Sequence, residues 1–185
     1  MNTCSCMRVA PRSVCSMAPA AVGMVTMPAS VTESLAGGSI RGGGTAMDLA
    51  MAELVAAGQI PYWSLLGIEL VDAERGHVTL RLPMRGELAT RRPDVMHGGA
   101  IASLVDAASG SAVATLRDPE DETWAGHATT DLNVSYLRAV RGEARAEGRV
   151  LRAGRTTVFV AVEVRDEAGE LAAAGRVTYA IARRG

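Results

Sequence analysis

One stretch constrains the fold more than any other, residues 97–116, HGGAIASLVDAASGSAVATL. Small and aliphatic side chains fill it, and after the opening His97 its one ionisable group is Asp106. The pattern predicts a helix of about five turns that opens on a Gly-Gly turn. At about 100° per residue, Ile101, Leu104, Val105, Ala108 and Ala112 form a single apolar stripe, the face to be buried. Asp106 points the other way, among Gly99, Ala102, Ser103, Ser109, Gly110 and Val113, nearly all of them small. So thin a face lets another backbone, or a ligand, approach closely. A carboxylate placed there is either solvated or chemically employed.

On both sides of this helix the period changes to two. Residues 67–73 and 77–82 read as strands joined by the turn Glu74-Arg75-Gly76, with Val78, Leu80 and Leu82 on one face and Pro83 as the stop. Residues 84–96 form a polar, Arg-rich loop, and 117–122 a charged surface loop. The last third is strand signal throughout. Residues 123–137 set Leu132, Val134 and Tyr136 against Asp131, Asn133 and Ser135, and 143–150 alternate charged with small residues. Val158, Val160, Val162 and Val164 mark one further strand, and Val177, Tyr179 and Ile181 the last. Turns at Arg141-Gly142, Ala153-Gly154 and Ala168-Gly169 imply antiparallel neighbours. Two strands, one long helix and four strands make an α+β domain, an antiparallel sheet wrapped around the helix.

Upstream, 60–66 reads as a short helical turn with Pro61 near its start, and 47–57 as a helix with Gly58 as its C-cap. Residues 1–46 carry all three cysteines and a Gly-rich run at 37–44, without a periodic apolar pattern. They are expected to be a disordered leader, or to precede the true start of translation, with the folded domain spanning 47–183.

Several chemistries drop out. All 19 basic residues are Arg, which removes a P-loop lysine, a Schiff-base lysine and any lysine base. A net charge of -1 gives no reason to expect a nucleic-acid partner. No apolar run is long enough to predict a membrane span. Cys4, Cys6 and Cys15 offer neither a disulfide framework nor structural zinc spacing, so the cytoplasm is the expected compartment. His77 and His127 look isolated, and Ser103, Ser109 and Ser111 lack a nucleophile-elbow motif. No metal and no cofactor is expected.

This order of elements resembles the hotdog fold. The motif His97-Gly98-Gly99 through Leu104 to Asp106 is similar to that of the acyl-CoA thioesterases of the phenylacetic-acid-pathway (PaaI-like) type. The likeness continues in Thr129-Thr130-Asp131-Leu132-Asn133-Val134-Ser135-Tyr136-Leu137-Arg138 and in Val150-Leu151-Arg152-Ala153-Gly154-Arg155, covering residues 60–182. The resemblance implies hydrolysis of an acyl-CoA to a carboxylate and free CoA, CoA being part of the substrate. It also implies a homodimer or a dimer of dimers.

Thioester cleavage needs little acid help, because the leaving thiol has a pKa of about 8.5. It does need a site for the developing oxyanion and a carboxylate that attacks or activates water. A helix N-terminus, with its free N–H groups and partial positive charge, suits the first. The resemblance assigns that donor to Gly98, with His97 and Gly99 beside it. Asp106 takes the second part, as base or as nucleophile. On one helix the two stand about 12 Å apart, too far for a single carbonyl, so both can act only if two subunits share each site. The resemblance gives Thr129 a water-placing hydroxyl. It puts Asn or Gln where this chain has Arg91, a longer, charged donor that reaches either the thioester carbonyl or the CoA phosphates. Arg138, Arg152 and Arg155, with the Gly154 turn, are candidates for the nucleotide phosphates. Two other readings share the fold. A non-catalytic acyl-CoA binder is favoured by Arg91, whereas a hydratase or dehydratase lacks its His-centred motif here.

Overall fold

The computed structural model describes residues 60–118 and 120–185. The leader expected over 1–46 and the helix over 47–57 with its Gly58 cap lie outside the described residues. Helix α1 is Pro61–Leu66, opened by the proline and closed by Gly67 in the left-handed conformation at φ 75°. Strands β1 (Glu69–Glu74) and β2 (His77–Leu82) form a hairpin, followed by a single 3-10 turn at Gly86–Leu88. Helix α2 is Gly98–Ala114. Strands β3 (Trp124–Tyr136), β4 (Ala144–Ala153), β5 (Thr157–Asp166) and β6 (Leu171–Arg183) complete one six-stranded sheet.

Every strand pair in the sheet is antiparallel, in the order β1-β2-β4-β5-β6-β3. The sheet wraps α2, whose stripe of Ile101, Leu104, Val105, Ala108 and Ala112 is buried as expected. Val78, Leu80 and Leu82 meet it from β2, Val158, Val160, Val162 and Val164 from β5, and Val177 and Tyr179 from β6. Each fully buried aliphatic side chain contributes about 1.5–3 kcal/mol relative to exposure. The helix ends are tied down locally. His97 caps the start through Nδ1, which accepts the Gly99 N–H at 2.9 Å. Thr115 closes the other end, its hydroxyl accepting the Gly76 N–H at 2.7 Å and so holding the β1–β2 turn.

Two glycines let the helix lie close to the sheet. A Cβ on Gly148 would fall 2.6 Å from the Ala108 carbonyl oxygen, and one on Gly175 would fall 2.6 Å from Val105 Cγ1. The first obstacle is backbone and cannot rotate away. Gly148→Ala is therefore expected to destabilise the fold by about 1–3 kcal/mol, read as a drop of several degrees in Tm. An unchanged Tm would mean the helix does not sit this close to β4.

Two expectations need correction. The Arg141-Gly142 turn does not join neighbouring strands, because β3 pairs with β6 and lies at the far edge of the sheet from β1. The alternation in 123–137 does not translate into burial either. Leu132, Val134 and Tyr136 register with Val177, Gly175 and Ala173 on the helix side. Yet Leu132 is 40% and Tyr136 53% exposed. The cause is position, since β3 is the edge strand and no further strand among the described residues flanks its outer side. Among the described residues, nothing pairs with the outer edge of β3. A 13-residue bare edge with apolar side chains is a ready template for another chain.

Candidate active site

Asp106 stands on the face of α2 turned toward β3 and β6. The β3–β6 register sets Thr129 directly opposite Tyr179, and both reach the same carboxylate. The Thr129 hydroxyl donates to Asp106 Oδ1 at 2.7 Å. The Tyr179 phenol directs its proton at Asp106, at 3.0 Å from the main-chain oxygen and 3.1 Å from Oδ1. Ser109 Oγ lies 3.1 Å from the same phenol oxygen and also bonds back to the Val105 carbonyl. Oδ1 is thus held by two donors, whereas Oδ2 has no hydrogen-bond partner among the described residues. Burial pushes the Tyr179 phenol up to about 12, so it stays protonated and donating across the working pH range.

Asp106 opens into a cavity of about 520 Å³ whose walls include Tyr62, Trp63, His127, Thr129 and Tyr179. Ile60, Ala114 and Ala128 add apolar surface to it. Helix α1 supplies the Tyr62 and Trp63 wall and is fastened to α2 by a 2.9 Å bond between the Tyr62 and Ser103 hydroxyls. His127 is half-buried and sits edge-on to Tyr179, with ring centroids 5.6 Å apart, and to Trp124 at 6.3 Å. Burial lowers its pKa below the usual imidazole value, against the opposing pull of the Gly110 carbonyl and Asp106. The ring is therefore neutral near pH 7.

At the other end of α2, the four N-terminal N–H groups are almost all spent. Gly99 donates to His97 Nδ1, and Ala100 and Ile101 donate to the His97 carbonyl at 3.0 and 3.2 Å. The Gly98 N–H alone has no partner among the described residues. Its carbonyl accepts the Tyr136 hydroxyl at 3.0 Å, and the Tyr136 ring lies 3.4 Å from where a Cβ would stand. Gly98, the donor that the resemblance implies, thus has its N–H open. Gly99 and His97 face one another as a helix cap beside it, and none of the three lines the cavity.

The arginines do not gather. Arg91 is exposed on the loop before α2, without a side-chain partner among the described residues. Arg138 pairs with Glu170 at 3.1 Å. Gly154 makes the β4–β5 turn, its N–H donating to the Thr157 carbonyl at 2.8 Å, with Arg152 and Arg155 exposed around it. The N–H groups of Leu137 and Arg138 bond Ala172, whereas the turn bonds Ile181 through Thr156. Nine residues of strand separate those anchors, about 30 Å, so one chain cannot bring Arg138 and the turn to a common phosphate.

Sequence reasoning missed Tyr179 and His127 as site residues. Tyr179 looked like one more core position, and His127 looked isolated. The signal that finds them is the pairing of β3 with β6, which are far apart in sequence.

Comparison with known proteins fits this architecture. The Thioesterase superfamily profile matches residues 94–173, the loop and helix of the site through the start of β6. A putative esterase of Saccharolobus solfataricus is 33% identical over 112 residues, 60% of this chain and 76% of that protein. The chain belongs to the thioesterase superfamily. It is a thioester hydrolase with the hotdog fold. Another superfamily relative, the medium/long-chain acyl-CoA thioesterase YigI of Escherichia coli, is 31% identical over 133 residues, 66% of this chain and 86% of that one. The fold likeness extends to the PaaI protein of Escherichia coli, with a TM-score of 0.63 at 18% identity over 75% of this chain and 94% of that one.

Proposed function

We propose that this thioesterase hydrolyses acyl-CoA, with Asp106 activating the attacking water and the Gly98 N–H of a second subunit holding the oxyanion. The observation that carries the reading is the Asp106 carboxylate itself. One oxygen is pinned by Thr129 and Tyr179, the other has no partner among the described residues, and Asp106 lines a largely apolar cavity. Water attacks the thioester carbon while its proton passes to Asp106. The carbonyl electrons collect on the oxygen facing Gly98. The C–S bond then breaks, and the departing thiolate takes the proton from Asp106, leaving a carboxylic acid and free CoA. A thiolate of moderate basicity needs no stronger acid.

Spacing supports the two-subunit arrangement. Thr129, in the middle of the exposed edge strand, adjoins Asp106, and Tyr136, at its end, adjoins Gly98. Antiparallel pairing of β3 with its copy, centred near Leu132 and Asn133, brings Thr129 of one chain opposite Tyr136 of the other. It therefore carries each Asp106 toward the other chain's Gly98. The same pairing covers the exposed Leu132 and Tyr136. A cavity of this size accepts a medium-chain or an aryl acyl group.

The test is release of free thiol from a panel of acyl-CoAs (phenylacetyl, hydroxybenzoyl, short, medium and long chain). Hydrolysis of at least one, ranked by kcat/KM, is the expected result. Tight binding of acyl-CoA without turnover would replace this reading with a non-catalytic binder.

A further inference from the structure

Thr129 and Asp106 account for one contact on the carboxylate; the second comes from a residue deep in β6, and a glycine makes room for it. Tyr179 is 3% exposed, and its hydroxyl is packed between Asp106 and Ser109. It lies this close because residue 110 has no side chain. A Cβ on Gly110 would stand 3.0 Å from the Tyr179 hydroxyl oxygen and 3.6 Å from its Cζ. We propose that Tyr179 and Gly110 act as a pair of positioning residues that decide which oxygen of Asp106 does the chemistry. This rests on Asp106 being the reacting carboxylate.

The physical reason is the near symmetry of a carboxylate. The terminal torsion of Asp is broad and roughly two-fold, so its two oxygens exchange easily unless one is held. Two donors on Oδ1 fix the plane and leave Oδ2 for water. With Tyr179 replaced by Phe, a single hydroxyl holds Oδ1 and the carboxylate samples orientations that do not face the substrate. The cavity keeps its shape, because Phe fills the same volume. The loss therefore falls on kcat and not on KM. Gly110→Ala acts on the same bond by another route, since the added methyl forces the phenol to give by a few tenths of an ångström. Ala is a better helix former than Gly, so α2 itself does not suffer.

The experiment is a double-mutant cycle of Tyr179→Phe and Gly110→Ala. Tyr179→Phe is expected to lose roughly tenfold or more in kcat at unchanged KM, the size of one hydrogen bond to a charged group, and Gly110→Ala to lose kcat in the same direction by a smaller factor. The double variant is expected to be no worse than Tyr179→Phe alone, because the methyl then has no hydroxyl to displace. Losses that multiply in the double variant, or that appear in KM, would overturn the proposal and leave Gly110 as a wall of the acyl cavity only. A readout independent of turnover accompanies the kinetics: the 13Cγ resonance of Asp106 in labelled protein, identified by its absence in Asp106→Asn. It should move in both single variants. A resonance that stays in place rejects the positioning role. A resonance that moves while no acyl-CoA is hydrolysed by the wild type rejects the acyl-CoA reading and leaves the clamp standing.

Discussion

Asp106→Asn is expected to abolish thiol release while the protein stays folded. Asparagine keeps the shape of the side chain, and its amide oxygen still accepts the bonds from Thr129 and Tyr179. What disappears is the proton acceptor on the second oxygen, the one that has no partner in the described structure. Removing a positioned base costs about 10²–10⁴ in rate. Asp106→Ala should lose as much activity but also some stability, because it deprives the Thr129 and Tyr179 hydroxyls of a shared acceptor. Thiol release and a thermal melt on both variants separate the two effects. If Asp106→Asn retained wild-type rates, water would have to be activated elsewhere, and His127, neutral and in the same cavity, would be the next group to replace.

The central helix was legible because its period, its small-residue face and its glycine opening are all local properties. So were β2 and the Val158 to Val164 face of β5, where alternation and burial coincide. The sheet order was not, because β3 and β6 are separated in sequence by two complete strands, and no local pattern encodes which of two distant strands pair. That one omission hid both Tyr179 and His127. Tyr179 becomes a site residue only when Thr129 lies opposite it. The exposure of Leu132 and Tyr136 was hidden for a related reason: alternation reports which face a residue occupies, not whether the chain has anything to lay over it. The separation of Arg138 from the Gly154 turn was hidden for a third reason. Charge in a turn is visible in a sequence, but the length of a 13-residue strand between two charged sites is not weighed until the register is known.

Gly98→Pro removes one hydrogen-bond donor and, as alanine would, sets a Cβ 3.4 Å from the Tyr136 ring. Gly98 is the first residue of α2, where a proline sacrifices no intrahelical bond and its fixed φ suits the helix. His97 before it is extended, at φ -67° and ψ 138°, the conformation a following proline requires. The variant should therefore fold and melt near the wild type. Its kcat is expected to fall by about 10²–10³, the cost of one oxyanion donor. Gly98→Ala, which keeps the N–H and sets a methyl 3.4 Å from the Tyr136 ring, should stay much closer to the wild type. Gly98→Pro can also be combined with Asp106→Asn in separate chains. If each site takes Gly98 from one subunit and Asp106 from the other, a mixed dimer holds one site with both lesions and one with neither. Co-expressing the two inactive variants under different tags should then restore about a quarter of the wild-type activity to a random mixture of dimers. All of it should reside in the doubly tagged species. Mixed dimers that stay inactive would place both groups in the same subunit, against the 12 Å that about two turns of helix put between them.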